Sequence, residues 1–180
     1  YKGKFGFIKP WTAVRDGETF SQQFLTPSII EGIEKKLFPE MLNTIGIHKI
    51  SRHKLKYDAL DSQQEVTQTR GWEHKSKMNI RNRSVINRSV LLNPRLCLAF
   101  DKQEDAFTAT KQHVCLCRNE DILIPEPDII ELSVNEFEQF PGFELRFGES
   151  DQSFLVGYNR FDNNEPMYGW LEYNGHSLLG

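Results

Sequence analysis

Apolar residues recur along this chain in short rhythms that change from segment to segment, and each rhythm predicts a different element. Over residues 3–9, Phe5 and Phe7 fall on one face, which predicts a strand ending at Pro10. Arg15-Asp16-Gly17-Glu18 signals a turn, and the polar Ser21-Gln22-Gln23 follows. From Thr26 the period becomes helical. Thr26 is placed to cap the first free amides, and Pro27 sits at the first helical position, where its missing N–H does no harm. Ile29, Ile30, Ile33 and Leu37 repeat at helical spacing, with Glu31, Glu34, Lys35 and Lys36 expected to face water and Pro39 to end the helix. Gly32 inside this helix costs about 1 kcal/mol relative to Ala, which close approach of a neighbouring strand would justify.

Ile45, Ile47 and Ile50 predict a second strand, extended by Leu55 and Tyr57. Over 58–84 the apolar pattern thins to Val66, Trp72, Met78 and Ile80 among polar and basic residues. A long stretch without periodicity inside a compact chain is usually functional or disordered, and the reading is a protruding arm without regular structure. Residues 84–92 and 95–100 predict two strands joined at Asn93-Pro94. Further strands are expected within 107–117, at 122–124, at 154–158 and at 168–173. This order predicts an α+β chain, a ferredoxin-like (RRM-like) half followed by a β-rich part. That fold hosts many functions and decides none.

At 180 residues the chain fits one domain with an appended subdomain and can bury a core without disulfides. Its three cysteines form no framework of regular spacings, which fits free thiols in a reducing compartment. No apolar run approaches the ~18 residues that span a bilayer, and no signal-peptide layout is visible, so a soluble cytoplasmic protein without membrane contact is expected. The chain begins at Tyr1 rather than Met, so a few residues are expected to precede it.

The formal net charge of −3 hides an asymmetry. Residues 48–88 hold ten Lys/Arg against four Asp/Glu, whereas 119–180 hold two against thirteen. A separated basic stretch is the electrostatic footprint of phosphate binding. The acidic stretch is expected to be a solvated face or a surface for a basic partner, with Phe137, Phe140 and Phe143 exposed in the second case.

An N-terminal strand at residues 5–10 is followed by Phe24-Leu25-Thr26-Pro27-Ser28-Ile29-Ile30-Glu31-Gly32-Ile33. Ile47-His48-Lys49-Ile50, Asn87-Arg88-Ser89-Val90-Leu91-Leu92-Asn93-Pro94-Arg95 and Met167-Tyr168-Gly169-Trp170-Leu171-Glu172-Tyr173 come later in the same order. This ordered set resembles the Cas-five family of CRISPR-associated proteins: its threonine-proline-serine helix start, its second strand, its arginine-polar-aliphatic-proline strand and its glycine-tryptophan close. Cys115-Leu116-Cys117-Arg118 lacks the glycine of a comparable family element, which leaves the register of 100–150 open. The resemblance implies a ferredoxin-like RNA-binding domain over 1–118 with a thumb-like basic insertion at 53–83, then a small acidic β-rich subdomain over 119–180. It implies an RNA-binding scaffold that holds the 5′ handle of a guide RNA (crRNA), caps the backbone of a surveillance complex and contacts its large subunit, with target DNA met only indirectly.

RNA gripping needs cations for phosphates and flat groups for splayed bases. Arg81, Arg83 and Arg88 are the first candidates, Arg81 and Arg83 sharing a side if extended; Arg70, Lys75 and Lys77 are secondary contacts. Trp72 is either a stacking platform or an anchor of the arm on the body. One branch of the family cuts precursor RNA without metal, and His48, His53, Lys54, Tyr57, His74 and Lys75 are raw materials for that chemistry. The tyrosine which that branch carries before its helix start is missing, so His53-Lys54 and His74-Lys75 are expected to be phosphate contacts or solvated, and catalysis is not expected. His113, Cys115 and Cys117 alternate, and Cys97 could join them around zinc, but paired zinc-knuckle spacings are missing, so neither metal nor cofactor is expected. The remaining alternative is a protein-interaction module with a basic arm.

Overall fold

The computed structural model describes residues 1–9, 18–68, 71–159 and 163–178. The described elements are β1 (Phe5–Gly6), β2 (Glu18–Phe20), α1 (Pro27–Leu37), β3 (Ile50–Lys56), β4 (Ala59–Gln68), β5 (Glu73–Lys75), β6 (Met78–Ile80), β7 (Arg83–Leu92) and β8 (Arg95–Phe100). They continue with α2 (Gln103–Ala109), β9 (Val114–Cys115), β10 (Ile122–Leu123), α3 (Val134–Gln139), β11 (Phe143–Phe147), β12 (Phe154–Asn159), β13 (Glu165–Tyr173) and β14 (His176–Ser177). The fold is mixed α+β with mostly strands and few helices. No helix among the described residues is long and apolar enough to cross a membrane.

Two sheets organise the chain. In one, β7 pairs with β4 antiparallel along ten positions, from Ala59↔Leu92 to Gln68↔Arg83. The other edge of β7 takes β1 antiparallel at Phe5↔Leu92 and β2 parallel from Glu18↔Asn87 to Phe20↔Ser89. The second sheet runs β12-β13-β11-β3-β8, with β14 on β13. The N-terminus stitches the pieces together, Lys2 bridging both Arg95 and Ile124. The apolar side of α1, with Ile30, Ile33 and Leu37, packs in one core with Leu55, Leu91 and Leu96. The segment over 58–84 therefore does not lack regular structure: most of it lies in a β-ribbon. Periodicity missed this because the half-buried face of the ribbon carries polar residues such as Gln63, Glu65 and Thr67, so no apolar alternation marks it.

Helix α1 starts where Thr26-Pro27 predicts, but Thr26 makes no side-chain cap; its carbonyl takes the Ile29 and Ile30 amides. Gly32 is exposed, with open space where a Cβ would stand, so no strand approaches it. Glu34 is fully buried instead of facing water. Its carboxylate accepts the backbone N–H groups of His48, Lys49 and Ile50 at 2.8, 2.7 and 2.8 Å. The strand expected from Ile45 accordingly begins at Ile50, because the amides before it serve a carboxylate rather than a ladder.

Phe107 lies in α2, so the strand expected over 107–117 shrinks to β9. Helix α3 and strand β11 are additions that the sequence reading missed. A capping box between Ser133 and Glu136 starts α3. Its last carbonyls are closed from outside: Lys54 Nζ donates to Glu138 O at 2.7 Å and Phe140 O at 2.8 Å. Phe137 is buried and Phe143 stacks on Tyr57 (ring centroids 6.0 Å), which returns both to the interior and leaves Phe140 partly exposed.

Candidate nucleic-acid interface

The basic stretch divides in three dimensions. Its first cations are consumed by the body. Arg52 makes a bidentate pair with buried Glu144 at 2.5 and 2.7 Å, and this hydrogen bonding raises the Arg52 pKa. Lys49 bonds Asp105 at 2.8 Å and Glu40 at 3.0 Å. Lys54 is only 2% exposed; burial lowers its pKa, and its ammonium is spent on α3. His53 is 3% exposed and stacks on Phe147 with ring centroids 5.4 Å apart. Burial first, then the charge of Arg52, drives its pKa down to about 3. The ring hydrogen-bonds to the Leu25 backbone and leaves Nε2 without a partner. His53-Lys54 is therefore neither solvated nor a phosphate contact, because the pair lies on the inner part of β3.

Among the described residues of this stretch, the exposed cations lie on the arm. β4 and β7 form the ribbon, and β5 and β6 form its tip hairpin through Glu73↔Ile80 and Lys75↔Met78. The two-residue turn is Ser76-Lys77, with φ of 47° and 79°, the left-handed geometry that short hairpins demand. A lysine there, where glycine is cheapest, costs roughly 1–2 kcal/mol. Trp72 is 62% exposed, so it does not anchor the arm to the body. The Arg81 guanidinium stands over its ring, 4.5 Å from the centroid, which pre-orients two flat surfaces side by side. Lys75 reaches Glu73 at 3.4 Å, a contact of little strength at this exposure. His74 bonds Asn79 at 2.9 Å.

Register separates the other arginines. Side chains alternate faces along a strand, so Arg83, opposite Gln68, and Arg88, opposite Gln63, lie on opposite faces of the ribbon. Arg83 is exposed. Arg88 donates to Glu65 and covers the Phe7 ring at 5.0 Å, so it is already engaged. Arg70 lies outside the described residues. The structure thus brings Trp72 to Arg81, keeps Lys75, Lys77 and Arg83 on the outer arm, and sets Arg88 at its root.

Arg118 is the residue that sequence reasoning missed. It also covers Phe7, at 5.3 Å, donates to Gln63 on the arm at 3.2 Å, and is held by buried Asp121 at 2.6 and 2.9 Å. The Asp121 pairing is what raises its pKa. In the sequence it stood out as the end of Cys115-Leu116-Cys117-Arg118, and its one signal as a site residue was an aspartate three positions on.

His113 joins no metal cluster; among the described residues no group of three or more His, Cys, Asp or Glu could hold an ion. The Cys115 thiol faces Lys36 Nζ at 3.7 Å, and Cys117 Sγ accepts the Lys9 amide at 3.4 Å. The His48 ring bonds the Ile45 carbonyl at 2.8 Å, and the Tyr57 hydroxyl donates to Gln23. Comparison of the sequence with protein-family models and with curated proteins found no match.

Proposed function

We propose that this chain binds single-stranded RNA along its arm and works as a scaffold rather than as an enzyme. The observation that carries the reading is the tip: Arg81 over an exposed Trp72, with Lys75, Lys77 and Arg83 unburied around them. Cations attract phosphates, and the flat pair offers a splayed base a surface to stack on. Lys77 in a left-handed turn supports a functional charge at the tip, since the backbone alone favours glycine there.

The finer form rests on the resemblance to the Cas-five family. In that reading the chain works in the cytoplasm, holds the 5′ handle of a guide RNA, caps the backbone of a CRISPR surveillance complex, and meets the large subunit. A ferredoxin-like core is supported by the order Ile124, Lys2, Arg95, Lys56 across neighbouring antiparallel segments. Reading without catalysis is supported by His53 and Lys54: one is sealed and neutral near pH 7, the other is bound to two carbonyls.

The test is a salt titration of binding to a labelled single-stranded RNA, with the bound strand run on a denaturing gel. Steep weakening with salt and an intact strand are expected. A strand shortened without added metal would replace the scaffold by a nuclease. No binding by a folded sample, alone or with neighbouring subunits, overturns the reading and leaves a protein-interaction module.

A further inference from the structure

The two faces of the arm's ribbon are chemically unlike. Along β4 the even-numbered residues from Leu60 to Gln68 are exposed, while Gln63, Glu65 and Thr67 are half-buried. The half-buried face leans on Phe7 through Arg88 and Arg118. The open face is ordered in rows by register. At the root lie Leu91 and Leu60, then Phe20, Ser89 and Ser62, then Glu18, Asn87 and Gln64, then Val85 and Val66, and last Arg83 and Gln68. At strand spacing, the distance from the Phe20 row to the Arg83 row is about 20 Å.

Phe20 is the anomaly. It is 63% exposed on a three-residue strand whose neighbours Thr19 and Ser21 are both buried. The backbone on either side is held, by the β2–β7 ladder and by Ser21 N donating to Ser89 O at 2.8 Å. An aromatic ring is thus fixed outward on a sheet face. Its own row holds the hydroxyls of Ser89 and Ser62, and the next row toward the tip holds amides. On the root side Leu60 is exposed and Leu91 buried, which is a smaller apolar area than a protein partner's core requires. Asn87, in the adjoining row, has a side-chain oxygen that is sealed from water and lacks any hydrogen bond, a deficit that a ligand's donor would remove once the amide turned outward.

We propose that Phe20 is the stacking floor of a base-recognition site for one unstacked nucleotide of single-stranded RNA, whose edge is read by Ser62, Ser89 and the amides of Gln64 and Asn87. A nucleobase combines a flat π-face with a rim of donors and acceptors, and this face presents the complement of both. Among the described residues Glu18 is the only carboxylate in these rows, placed to favour a base amino group over a phosphate. The arm tip then supplies charge and grip, and the root supplies selectivity. This inference rests on the RNA-binding reading and adds a site that the charge pattern does not indicate.

The test uses the full chain and a mixed-sequence single-stranded RNA. Phe20→Ala is expected to weaken binding about 5- to 150-fold, as loss of one stacked base does, with the salt dependence unchanged. Phe20→Tyr is expected to restore affinity, and Phe20→Leu, equally apolar but not planar, is not. Photo-crosslinking of the wild type followed by peptide mapping is expected to find a nucleotide on 18–20. Since Phe20 is exposed, urea midpoints of all variants should match the wild type. If Phe20→Ala and wild type bind equally while Trp72→Ala weakens binding, this site is overturned and the arm reading stands. If Phe20→Leu binds like the wild type, stacking is overturned. Loss of association with a protein subunit, at unchanged RNA affinity, makes the face a protein contact and overturns the site. Absence of any RNA binding by the wild type overturns both.

Discussion

The Arg88 guanidinium lies over the Phe7 ring, 5.0 Å from its centroid, and so ties the ribbon to the N-terminal strand. A planar cation on an aromatic face, also paired to Glu65, adds to the β1 and β2 pairings and to Arg118 in holding the root of the arm. Arg88→Lys keeps the charge and loses the stacking. Amide exchange over 59–68 and 83–92 is expected to quicken about five-fold, for a loss of about 1 kcal/mol. An unchanged exchange rate would show that the contact does not hold the arm.

At the tip the expected effects are on affinity rather than on stability. Trp72→Ala should weaken RNA binding by about 1–3 kcal/mol. Arg83→Ala should flatten the plot of log affinity against log salt by about 0.7, as loss of one phosphate contact on a single strand does. Urea midpoints for both should stay within about 0.5 kcal/mol of the wild type, as for surface changes generally. Loss of stability in Trp72→Ala would instead make the ring a structural anchor.

Glu34→Ala should be far more damaging, although it lies on a helix beside lysines. It leaves the buried Ile50 amide and the part-buried amides of His48 and Lys49 without their acceptor, for which a loss of about 3 kcal/mol is expected. Denaturant unfolding measures it. A change below about 1 kcal/mol would mean that water replaces the carboxylate.

Gly32→Ala is expected to act in the opposite direction. Open space surrounds the missing Cβ, so helix propensity alone decides, giving about 1 kcal/mol of added stability. A lower melting temperature would contradict the open position.

His53 predicts an acid limb in the stability profile. Its folded pKa of about 3 lies below the ordinary 6.5. Below pH 6.5 the unfolded chain takes up a proton that the folded chain refuses, so stability present above that pH is lost as pH falls toward 3. In His53→Gln this part of the pH dependence should vanish, as the difference between the two unfolding profiles. Parallel profiles would show that the ring is solvated.

Helix α1, its Thr26-Pro27 start and the two strands meeting at Asn93-Pro94 were legible in the sequence because local period and turn chemistry specify them. The basic stretch was countable along the chain, but of the arm expected over 53–83 the ribbon takes only the part from Ala59, since residues 53–56 belong to β3. Which cations are free was not legible. Lys49, Arg52 and Lys54 look like Arg81 and Arg83 in sequence, yet their partners Asp105, Glu144 and the α3 carbonyls lie about 50 to 90 residues away. Only packing brings such groups together, and burial then turns a cation from a binding group into a structural one. The ribbon, the buried Glu34 and the outward Phe20 have the same origin. Each depends on which strand lies beside which, and that is decided by tertiary contacts rather than by any local pattern.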